Sequence, residues 1–464
     1  MTEAEFPAIR LQCVEGVWWF VFGDRKLFVS IGINHVDPNF LLAPYNINRT
    51  IAKYGNDMVF DNLAFNPEGE AAKKWWSKVQ ADMKEWHFNT LGYHTSVPRA
   101  YLKETDLSYI VPIRDNSLED YRTFPDVFSK EFSDSLDKLV KSVCDEHKLA
   151  SNLLGYAFHD ISGFTYEMSK NRNMPDPQRM TKRESRLFAK MLNDRLRADC
   201  SRKRTFHPLV ERYQQLPVDS PGKNQWINLL RQSYRSIEVV NSVYGLKTGS
   251  WAELGSVTDW SNYSFEHYPT SDNRYMLATI AERYYSQYYT LIKKHDPNHL
   301  ILGDKLNASW EDLPDYLLDI LKKYVDLVFI EWVDYFGVQE NALNDIHHRT
   351  GKPILMGDSA FACIQENQIF ARGVIVESQE AVGQEYGKYL SSIMKLPFVV
   401  GWHHCGYIEG WKGIRNENDP FASSQSGFLT PFEEVHERTV ERVKTCNRYA
   451  EYVHRSSYFQ GGSE

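Results

Sequence analysis

Two apolar runs, Leu327-Val-Phe-Ile-Glu-Trp332 and Pro353-Ile-Leu-Met-Gly357, decide the fold class of this chain. Each is about as long as a strand and neither alternates between apolar and polar residues, which is typical of strands buried on both faces of a parallel sheet. Six further runs share this character. They are Leu27–Asn34, Thr90–His94, Tyr109–Ile113, Leu153–His159, His299–Gly303 and Phe398–Trp402. The chain therefore contains eight candidate buried strands.

Helical patterns lie between most of these runs. They cover Glu70–Trp86, Phe132–His147, Arg274–His295, Trp310–Tyr324 and Glu377–Leu396. Eight buried strands that alternate with helices predict an α/β fold in which a parallel sheet closes into a (β/α)8 barrel, the TIM barrel.

The spacing between the runs predicts the remaining organisation. The fourth and fifth runs stand much further apart than one helix requires, so residues 162–270 are expected to form an excursion on the top face, helical near 182–200 and 223–243. Residues 1–25 are expected to add strands or a plug, and 429–455 a closing helix. Because such barrels run from about 200 to over 400 residues, the chain 1–464 is interpreted as one domain.

The charge and hydropathy patterns exclude two classes of function. Lys and Arg total 53 against 61 Asp and Glu, which gives a net charge of −8. The richest basic stretch, residues 182–204, mixes apolar residues at helical spacing with acidic ones, so it is interpreted as a solvated helix face. The sequence has no run of 18 apolar residues. We therefore expect neither a nucleic-acid partner nor a membrane span.

The cysteines and the amino terminus bear on the cellular compartment. Six cysteines stand far apart and form no C-x-x-C pair, so neither a zinc knuckle nor a disulfide framework is expected. The first residues lack the basic and apolar regions of a secretory leader, which predicts a cytoplasmic protein. A secreted or periplasmic location would follow if a leader had been removed.

Polar and aromatic side chains follow the ends of the predicted barrel strands, where the active sites of such barrels lie. They are Asn34, His35, His94, His159, Asp160, Asp304, Lys305, Glu331, Trp332, Asp358, Trp402, His403 and His404. Carboxylates across a cleft are what glycosidic-bond hydrolysis needs, because one group protonates the leaving oxygen while the other attacks or activates water. The 14% of aromatic residues fit a sugar-stacking cleft and a large aromatic core equally well.

Each strand-end residue also has a purely structural interpretation. An aspartate such as Asp358 commonly caps the next helix. Asp304 and Lys305 could form a structural ion pair. His403 and His404 could be half of a metal site, but the sequence specifies no third ligand, so stacking or hydrogen bonding is favoured and no metal is expected. These interpretations leave unexplained why all of the residues gather at one end of one fold.

Several longer stretches carry a likeness to a known family. They are VWWFVFGDRKLFVSIGINH from Val17, WWSKVQADMKEWHFNTLGYHTS from Trp75, TFPDVFSKEFSDSLDKLV from Thr123, NSVYGLKTGSWAEL from Asn241, KPILMGDSAF from Lys352 and GQEYGKYLSSIMKLPFVVGWHHCGYIE from Gly383. Together they resemble the glycoside hydrolase clan A barrels, and more narrowly the family 50 agarases and their family 42 relatives.

The resemblance implies where the catalytic acids lie. The family places an acid/base Glu after Asn on strand four and a nucleophilic Glu after Pro-Ile-x-x-Gly on strand seven. Here these positions hold Asp160, preceded by His159 instead of Asn, and Asp358. Two shortened side chains are expected to widen the gap toward the range of inverting enzymes, or to suit a retaining enzyme on a differently shaped or α-linked sugar. Glu331 is an alternative catalytic partner for either Asp.

The other strand-end residues are predicted to bind substrate. Trp402 suits a stacking floor for the sugar, and Lys305 suits a partner for an anionic group such as sulfate. The predicted hydroxyl or sulfate donors and the aromatic residues of further subsites are His35, His94, His159, His404, Trp251 and Trp260. The substrate-binding set is completed by Asn34, Asp304, Trp332 and His403.

The resemblance also implies a function. It indicates a glycoside hydrolase acting on a galactan-type marine polysaccharide or its oligosaccharides, of the agar, porphyran or carrageenan class, with no cofactor. The absence of a leader favours intracellular, exo-type processing. Two alternatives stay open, namely a non-catalytic carbohydrate-binding protein on a decayed hydrolase barrel and a β-galactosidase-like enzyme of broader specificity. Acidic residues at both expected catalytic positions favour an enzyme.

Overall fold

The structure, a computed structural model, describes residues 8–23, 26–118, 123–161, 164, 207–260, 270–308, 313–364, 371–410 and 426–457. Its strands are β1 (Arg10–Val14), β2 (Val17–Phe22), β3 (Lys26–Phe28), β4 (Ser30–Ile33), β5 (Thr90–Leu91), β6 (Ser108–Pro112), β7 (Leu153–Ile161), β8 (Ile301–Asn307), β9 (Val328–Glu331), β10 (Ile354–Ser359), β11 (Phe361–Ala362), β12 (Val374–Ile375) and β13 (Val399–His404).

Eight of these strands close into a parallel barrel. The order around it is β10-β13-β4-β5-β6-β7-β8-β9, so the chain winds once around the axis and β13 closes the barrel against β4. The predicted (β/α)8 barrel is therefore confirmed. The first apolar run is divided between two strands, since β3 pairs with β2 in a separate antiparallel sheet and only β4 joins the barrel.

Helices separate the barrel strands. They are α1 (Ile47–Tyr54), α2 (Glu70–Glu85), α3 (Arg99–Lys103), α4 (Lys130–His147), α5 (Pro208–Gln214), α6 (Pro221–Tyr234), α7 (Ile237–Tyr244), α8 (Trp251–Gly255), α9 (Thr270–His295), α10 (Asp315–Tyr324), α11 (Phe336–Thr350), α12 (Gln379–Ile393) and α13 (Glu437–Ser456). Amphipathic patterns explain the long ones. In α4, for example, Ser129 caps the first turn while Phe132, Leu136 and Val140 form a buried stripe.

The chain adds a small antiparallel sheet before the barrel and a long helix after it. The β1–β2–β3 sheet confirms the strands expected within residues 1–25. Phe20 and Phe28 of this sheet pack with Leu154 and Leu355, which lie at the amino ends of barrel strands. The predicted closing helix begins at 437 rather than 429, because Leu429 instead pairs in β-bridges with Ile408 and Val435.

The excursion between β7 and β8 is helical where it is described. Helices α5 to α8 lie in residues 207–260, and α6 with α7 covers the helical pattern near 223–243. The predicted helix near 182–200 lies outside the described residues. None of the helices in the described ranges combines the length and the apolar character that a membrane crossing requires.

Candidate active site

Four neighbouring barrel strands each carry one charged side chain to the carboxyl end of the barrel. Asp160 lies in β7, Lys305 in β8, Glu331 at the end of β9 and Asp358 in β10. The parallel register pairs Asp160 with Lys305 and Glu331 with Asp358. Because the strands of a parallel barrel all end on the same side, these residues meet in one group, which we call the charged cluster.

Lys305 is the centre of the charged cluster. Its ammonium donates to Asp358 Oδ2 at 2.8 Å, lies 3.1 Å from Asp160 Oδ2 and also donates to Glu331 Oε2. The Lys305 side chain has no solvent exposure, whereas 30% of Asp160, 20% of Glu331 and 8% of Asp358 is exposed. Asp160 and Glu331 are therefore partly exposed, whereas Asp358 is nearly buried and Lys305 is fully buried.

Two stacked histidines lie beside the carboxylates. His94 Nε2 is 3.3 Å from Asp160 Oδ2 and 3.3 Å from Asp358 Oδ2, and the His35 ring stacks on His94 with centroids 4.7 Å apart. Burial and Lys305 lower the pKa of His94, but its hydrogen bonds to the two aspartates raise the pKa above the usual value. Burial, followed by the neighbouring His94, lowers the pKa of His35 well below its usual value. Of the two histidines, His94 is thus the one that takes up a proton more readily.

Asp160 and Asp358 are held in the ionised form. Burial acts to raise the pKa of each carboxyl, but Lys305 and then His94 lower it by more. The net pKa of both groups is therefore well below the usual value for aspartate. Such carboxylates suit a nucleophile, a base or an electrostatic partner, and they cannot donate a proton at neutral pH.

Glu331 has the opposite protonation behaviour. Burial raises the pKa of its carboxyl to about 7; the Lys305 ammonium opposes this rise, and the Asp358 carboxylate adds to it. Asn307 Nδ2 donates to Glu331 Oε1 at 3.1 Å and so orients the carboxyl group. A carboxyl with a pKa near the working pH can exchange a proton with a reacting group, which makes Glu331 the acid–base candidate of the cluster.

The spacing between Asp160 and Asp358 is narrower than the sequence predicts. Their Oδ2 atoms contact the same Lys305 nitrogen at 3.1 and 2.8 Å, so the two oxygens are no more than about 6 Å apart. Inverting glycosidases separate their carboxyl groups by about 6.5–9.5 Å and retaining ones by about 5–5.5 Å. The wide gap expected from two shortened side chains is absent between these oxygens, because Lys305 and His94 bring them together.

His159 and Asp304 lie in a buried hydrogen-bond network behind Asp160 and not at the surface of the site. Their predicted contacts with substrate are therefore corrected to a structural role. His159 Nε2 accepts from the Asp115 backbone N–H at 2.9 Å, and Nδ1 bonds the Tyr284 hydroxyl at 2.8 Å. That hydroxyl and the His159 backbone N–H both donate to Asp304 Oδ1. Burial raises the pKa of Asp304 to about 7.

Trp402 and His404 pack into the layer between β13 and the helices. The Trp402 ring lies 4.6 Å from Tyr386 and 4.8 Å from Tyr389, and its Nε1 donates to Ser359 Oγ at 2.8 Å. His404 stacks on Phe428 at 4.6 Å. Both side chains are about 1% exposed, so the predicted stacking floor and hydroxyl donor are corrected to core residues.

Asn34 and His403 are also fully buried. Asn34 Nδ2 donates to the Gly357 carbonyl at 2.8 Å, and His403 Nε2 bonds Ser30 Oγ at 2.8 Å. Their predicted substrate contacts are corrected accordingly. Successive residues of a strand point to opposite faces, so His403 and His404 do not converge on one metal ion.

The three other tryptophans that are predicted to contact substrate lie in different environments. Trp332, directly after Glu331, is half-buried and stays a candidate for sugar stacking. Trp260 is buried against Trp226 at 5.4 Å, inside the excursion. Trp251 lies under the Arg231 guanidinium at 5.3 Å, and its predicted contact with substrate stays a prediction.

Two further residues contact the charged cluster and were not among the predicted site residues. Asn307 holds Glu331, and the Tyr93 ring lies 5.7 Å from the Lys305 ammonium. Asn307 could have been found by continuing β8 beyond its apolar part, because residues 305 and 307 share one face of a strand. Tyr93 precedes a predicted site histidine and offers no comparable signal.

A closed parallel barrel with three carboxylates at its carboxyl end has the groups that glycosidic-bond hydrolysis requires. Two curated β-agarases of Vibrio sp. (strain JT0107) are similar in sequence. β-Agarase B is 28% identical over 213 residues, which are 44% of this chain and 22% of that protein. β-Agarase A is 22% identical over 430 residues, which are 86% of this chain and 38% of that protein. The chain thus spans well under half of either relative, and no protein-family model matches it.

Solved structures of agarases share the fold. One agarase aligns over 97% of this chain and 66% of its own, with a TM-score of 0.70 and 16% identity. An exo-β-agarase aligns over 97% of this chain and 65% of its own, with a TM-score of 0.72 and 15% identity. The resemblance to family 50 agarases is therefore confirmed as a likeness of fold across nearly the whole chain.

Proposed function

We propose that this chain is a glycoside hydrolase that cleaves agar-type galactan or its oligosaccharides. The observation that carries the proposal is the charged cluster, with two ionised aspartates and one glutamate of raised pKa. Hydrolysis of a glycosidic bond needs one group that donates a proton and one carboxylate that remains ionised. The choice of agar-type galactan is supported by the names of the similar proteins, which are β-agarases and an exo-β-agarase.

In the proposed mechanism Glu331 protonates the leaving oxygen. Asp358, the most buried of the three carboxylates, attacks the anomeric carbon, and Asp160 stabilises the positive charge that develops on the sugar ring. The resemblance implies that Asp160, in β7, is the proton donor. The proposed mechanism gives this role instead to Glu331, at the end of β9. The lowered pKa of Asp160 and the raised pKa of Glu331 support the move, and the longer glutamate restores the reach that an aspartate lacks.

The spacing of the carboxylates favours retention of configuration. Lys305 contacts both Glu331 Oε2 and Asp358 Oδ2, so the proposed acid and nucleophile have oxygens within about 6 Å of each other. That is less than the separation of about 6.5–9.5 Å with which an inverting enzyme admits a water molecule between its nucleophilic side and the sugar. We therefore propose a covalent glycosyl intermediate on Asp358, from which Glu331 activates the incoming water.

The substrate and the stereochemistry can be tested together. The chain is incubated with agarose, porphyran and carrageenan and with oligosaccharides of each, and the first-formed anomer is followed by proton NMR. We expect cleavage of agarose oligosaccharides with retained configuration. Absence of products from every galactan would overturn the proposed function, and an inverted product would overturn the role of Asp358 as nucleophile.

The role of Asp358 has a matched control elsewhere in the fold. Asp358→Asn is expected to abolish turnover, because an amide neither attacks carbon nor carries the charge. Asp272 is also a buried carboxylate, but it bonds the Tyr234 and Tyr244 hydroxyls of the excursion. Asp272→Asn should therefore retain the kcat of the unaltered chain at temperatures where both are folded. Near-normal turnover in Asp358→Asn would contradict the mechanism.

One observation favours a second candidate, a carbohydrate-binding protein on a decayed hydrolase barrel. Lys305 contacts all three carboxylates, so the charged cluster is internally paired without any sugar. A purely structural ion cluster would have the same contacts. Calorimetric binding of agarose oligosaccharides that are recovered intact after prolonged incubation would support this candidate over the enzyme.

A further inference from the structure

We propose that His35, Asp358 and Cys405 form a binding site for a thiophilic divalent cation, for which Zn²⁺ is the matching ion. One ligand atom from each residue (an imidazole nitrogen, a carboxylate oxygen and a sulfur) lies within 4.8 Å of the other two. The three residues come from the chain after β4, from β10 and from the chain after β13, which are neighbouring strands of the barrel. Three protein ligands and one water are a common coordination set for accessible zinc.

The distances suit zinc after a small movement. Zinc lies about 2.3 Å from sulfur and about 2.0–2.2 Å from nitrogen or oxygen, so tetrahedral ligand atoms are roughly 3–4 Å apart. The three ligand atoms, within 4.8 Å of one another, need to approach by roughly 1 Å. The proposal therefore requires the Asp358 and His35 side chains to turn slightly toward the Cys405 sulfur.

Two of the ligands have free coordinating atoms. His35 Nε2 is buried and makes no hydrogen bond to any residue that the structure describes, which is uncommon for a buried nitrogen. Asp358 uses Oδ2 for Lys305 and His94, and within the described ranges its Oδ1 accepts no hydrogen bond. A cation can therefore bind the carboxylate while Lys305 remains in place.

The donor set selects the kind of cation. A thiolate and an imidazole favour zinc and similar ions over Mg²⁺ or Ca²⁺, which prefer oxygen ligands. Lys305, 2.8 Å from Asp358 Oδ2, further disfavours a weakly held ion because it places a positive charge nearby. Cys405 is a thiol and not half of a disulfide, and its sulfur supplies the strong bond that overcomes this repulsion.

The site overlaps the proposed nucleophile, so its occupation has a functional consequence. Zn²⁺ bound to Asp358 would withdraw that carboxylate from the sugar, and we expect reversible inhibition that a chelator relieves. This inhibition rests on the proposed function, whereas the binding does not. Zinc binding without hydrolysis of any galactan would overturn the proposed function and leave the site intact.

The first experiment measures Zn²⁺ affinity by calorimetry on the metal-free chain. Cys405→Ser removes a direct ligand, and loss of a group that only supports a ligand already costs about 10–100-fold in metal affinity, so Zn²⁺ binding should weaken by at least about tenfold while hydrolysis without zinc stays unchanged. Cys13→Ser, which removes an exposed thiol outside the cluster, should bind as the unaltered chain does. Mg²⁺ should produce no heat. Equal Zn²⁺ affinity in Cys405→Ser would overturn the proposal.

The second experiment needs no variant and therefore does not depend on folding of Cys405→Ser. Co²⁺ replaces Zn²⁺ in such sites, and a bound thiolate gives a charge-transfer absorption in the near ultraviolet. We expect that absorption with one equivalent of Co²⁺ and its loss on addition of Zn²⁺. Stoichiometric Co²⁺ binding without the thiolate band, or no binding, would overturn the assignment of Cys405 as a ligand.

Discussion

At the scale of the residue, Lys305 determines how the carboxylates around it ionise. It lowers the pKa of Asp160 and Asp358 against the effect of burial, and it opposes the rise in the pKa of Glu331. The cluster thus separates its three carboxyl groups into two that remain ionised and one that titrates near neutrality. That separation, and not the presence of acids alone, is what acid–base chemistry at neutral pH requires.

Lys305→Met should destabilise the fold in a pH-dependent way. Removing one partner of a buried ion pair costs about 3–5 kcal/mol, which we expect at pH 7. In the unaltered chain the lowered pKa values of Asp160 and Asp358 give stability that is present above about pH 4 and lost on acidification. Without the ammonium, burial raises those pKa values, so the variant should recover stability relative to the unaltered chain as the pH falls from 7 to 5. Urea unfolding at several pH values measures this difference.

Lys223 provides the control for Lys305→Met. Its ammonium is also buried, but it donates to the backbone carbonyls of Gln214 and Val257 and contacts no carboxylate in the described part of the chain. Lys223→Met should therefore lower stability by a similar amount at pH 5 and at pH 7. A flat pH dependence for Lys305→Met as well would contradict the role assigned to Lys305.

Glu331→Gln should remove the fall in kcat/KM that the unaltered chain shows at alkaline pH. Glu331 donates only when it is protonated, and its pKa of about 7 predicts that kcat/KM falls as the pH rises through 7. The variant should lose about 10²–10⁴-fold in turnover of oligosaccharides. Aryl glycosides with good leaving groups need little protonation, so their kcat/KM, which reports formation of the glycosyl intermediate, should be largely retained, whereas their kcat should fall because Glu331 also activates the incoming water. Equal losses of kcat/KM on both substrates would instead indicate a structural role.

The sequence predicts every charged residue of this cluster, but not the direction in which the other strand-end side chains point. Asp160, Lys305, Glu331 and Asp358 are recognisable because charged residues end apolar runs. Trp402 has the same position in its run, yet it packs against the helices. A strand buried on both faces has apolar residues in both directions, so periodicity cannot distinguish the inside of the barrel from the outside.

At the scale of the element, helix α9 supports the end of β7 through one hydroxyl group. Tyr284 bonds His159 Nδ1 at 2.8 Å and Asp304 Oδ1 at 2.7 Å, and thus connects α9 to both β7 and β8. His159 directly precedes Asp160, so this network fixes the backbone from which the Asp160 carboxylate extends. It therefore acts on the site by position and not by contact with the sugar.

Tyr284→Phe should destabilise the protein by about 1–3 kcal/mol, because it leaves buried hydrogen-bonding groups of His159 and Asp304 without their partner. Tyr288 is the matched control on the same helix, since its hydroxyl is buried and makes no hydrogen bond to the described residues. Tyr288→Phe should be neutral or slightly stabilising. Urea unfolding of both variants checks the difference, and equal free energies of unfolding would contradict the network.

A helix or strand is easier to predict from the sequence when its apolar residues form a pattern that is clearly separate from the polar ones. The eight runs identify the barrel strands, and α4 has a clear amphipathic pattern. Helix α11 was not predicted, because its buried stripe includes Gln339 and Thr350 beside Leu343 and Ile346. The division of the first run between β3 and β4 is also not predicted, because the change of sheet at Val29 falls within a single, largely apolar run.

At the scale of the whole molecule, the barrel has one end for stability and another for chemistry. The interior at the amino ends of the strands is filled by apolar residues, among them Leu154, Phe329 and Val400, and Phe20 of the β1–β2–β3 sheet packs against them. The charged cluster lies at the opposite, carboxyl ends. Such a division lets the two ends change independently.

Phe20→Ala tests this division. The ring is fully buried and lies 5.6 Å from Phe28, so its loss leaves a cavity that should cost about 3–5 kcal/mol. Phe22, at the end of the same strand, is only half-buried, and Phe22→Ala should cost less. Because the cavity lies at the end of the barrel away from Lys305 and Glu331, folded Phe20→Ala should keep the kcat/KM of the unaltered chain. A variant that remains folded but loses activity would mean that the sheet beneath the barrel also positions the carboxylates, and the separation of the two ends would then not hold.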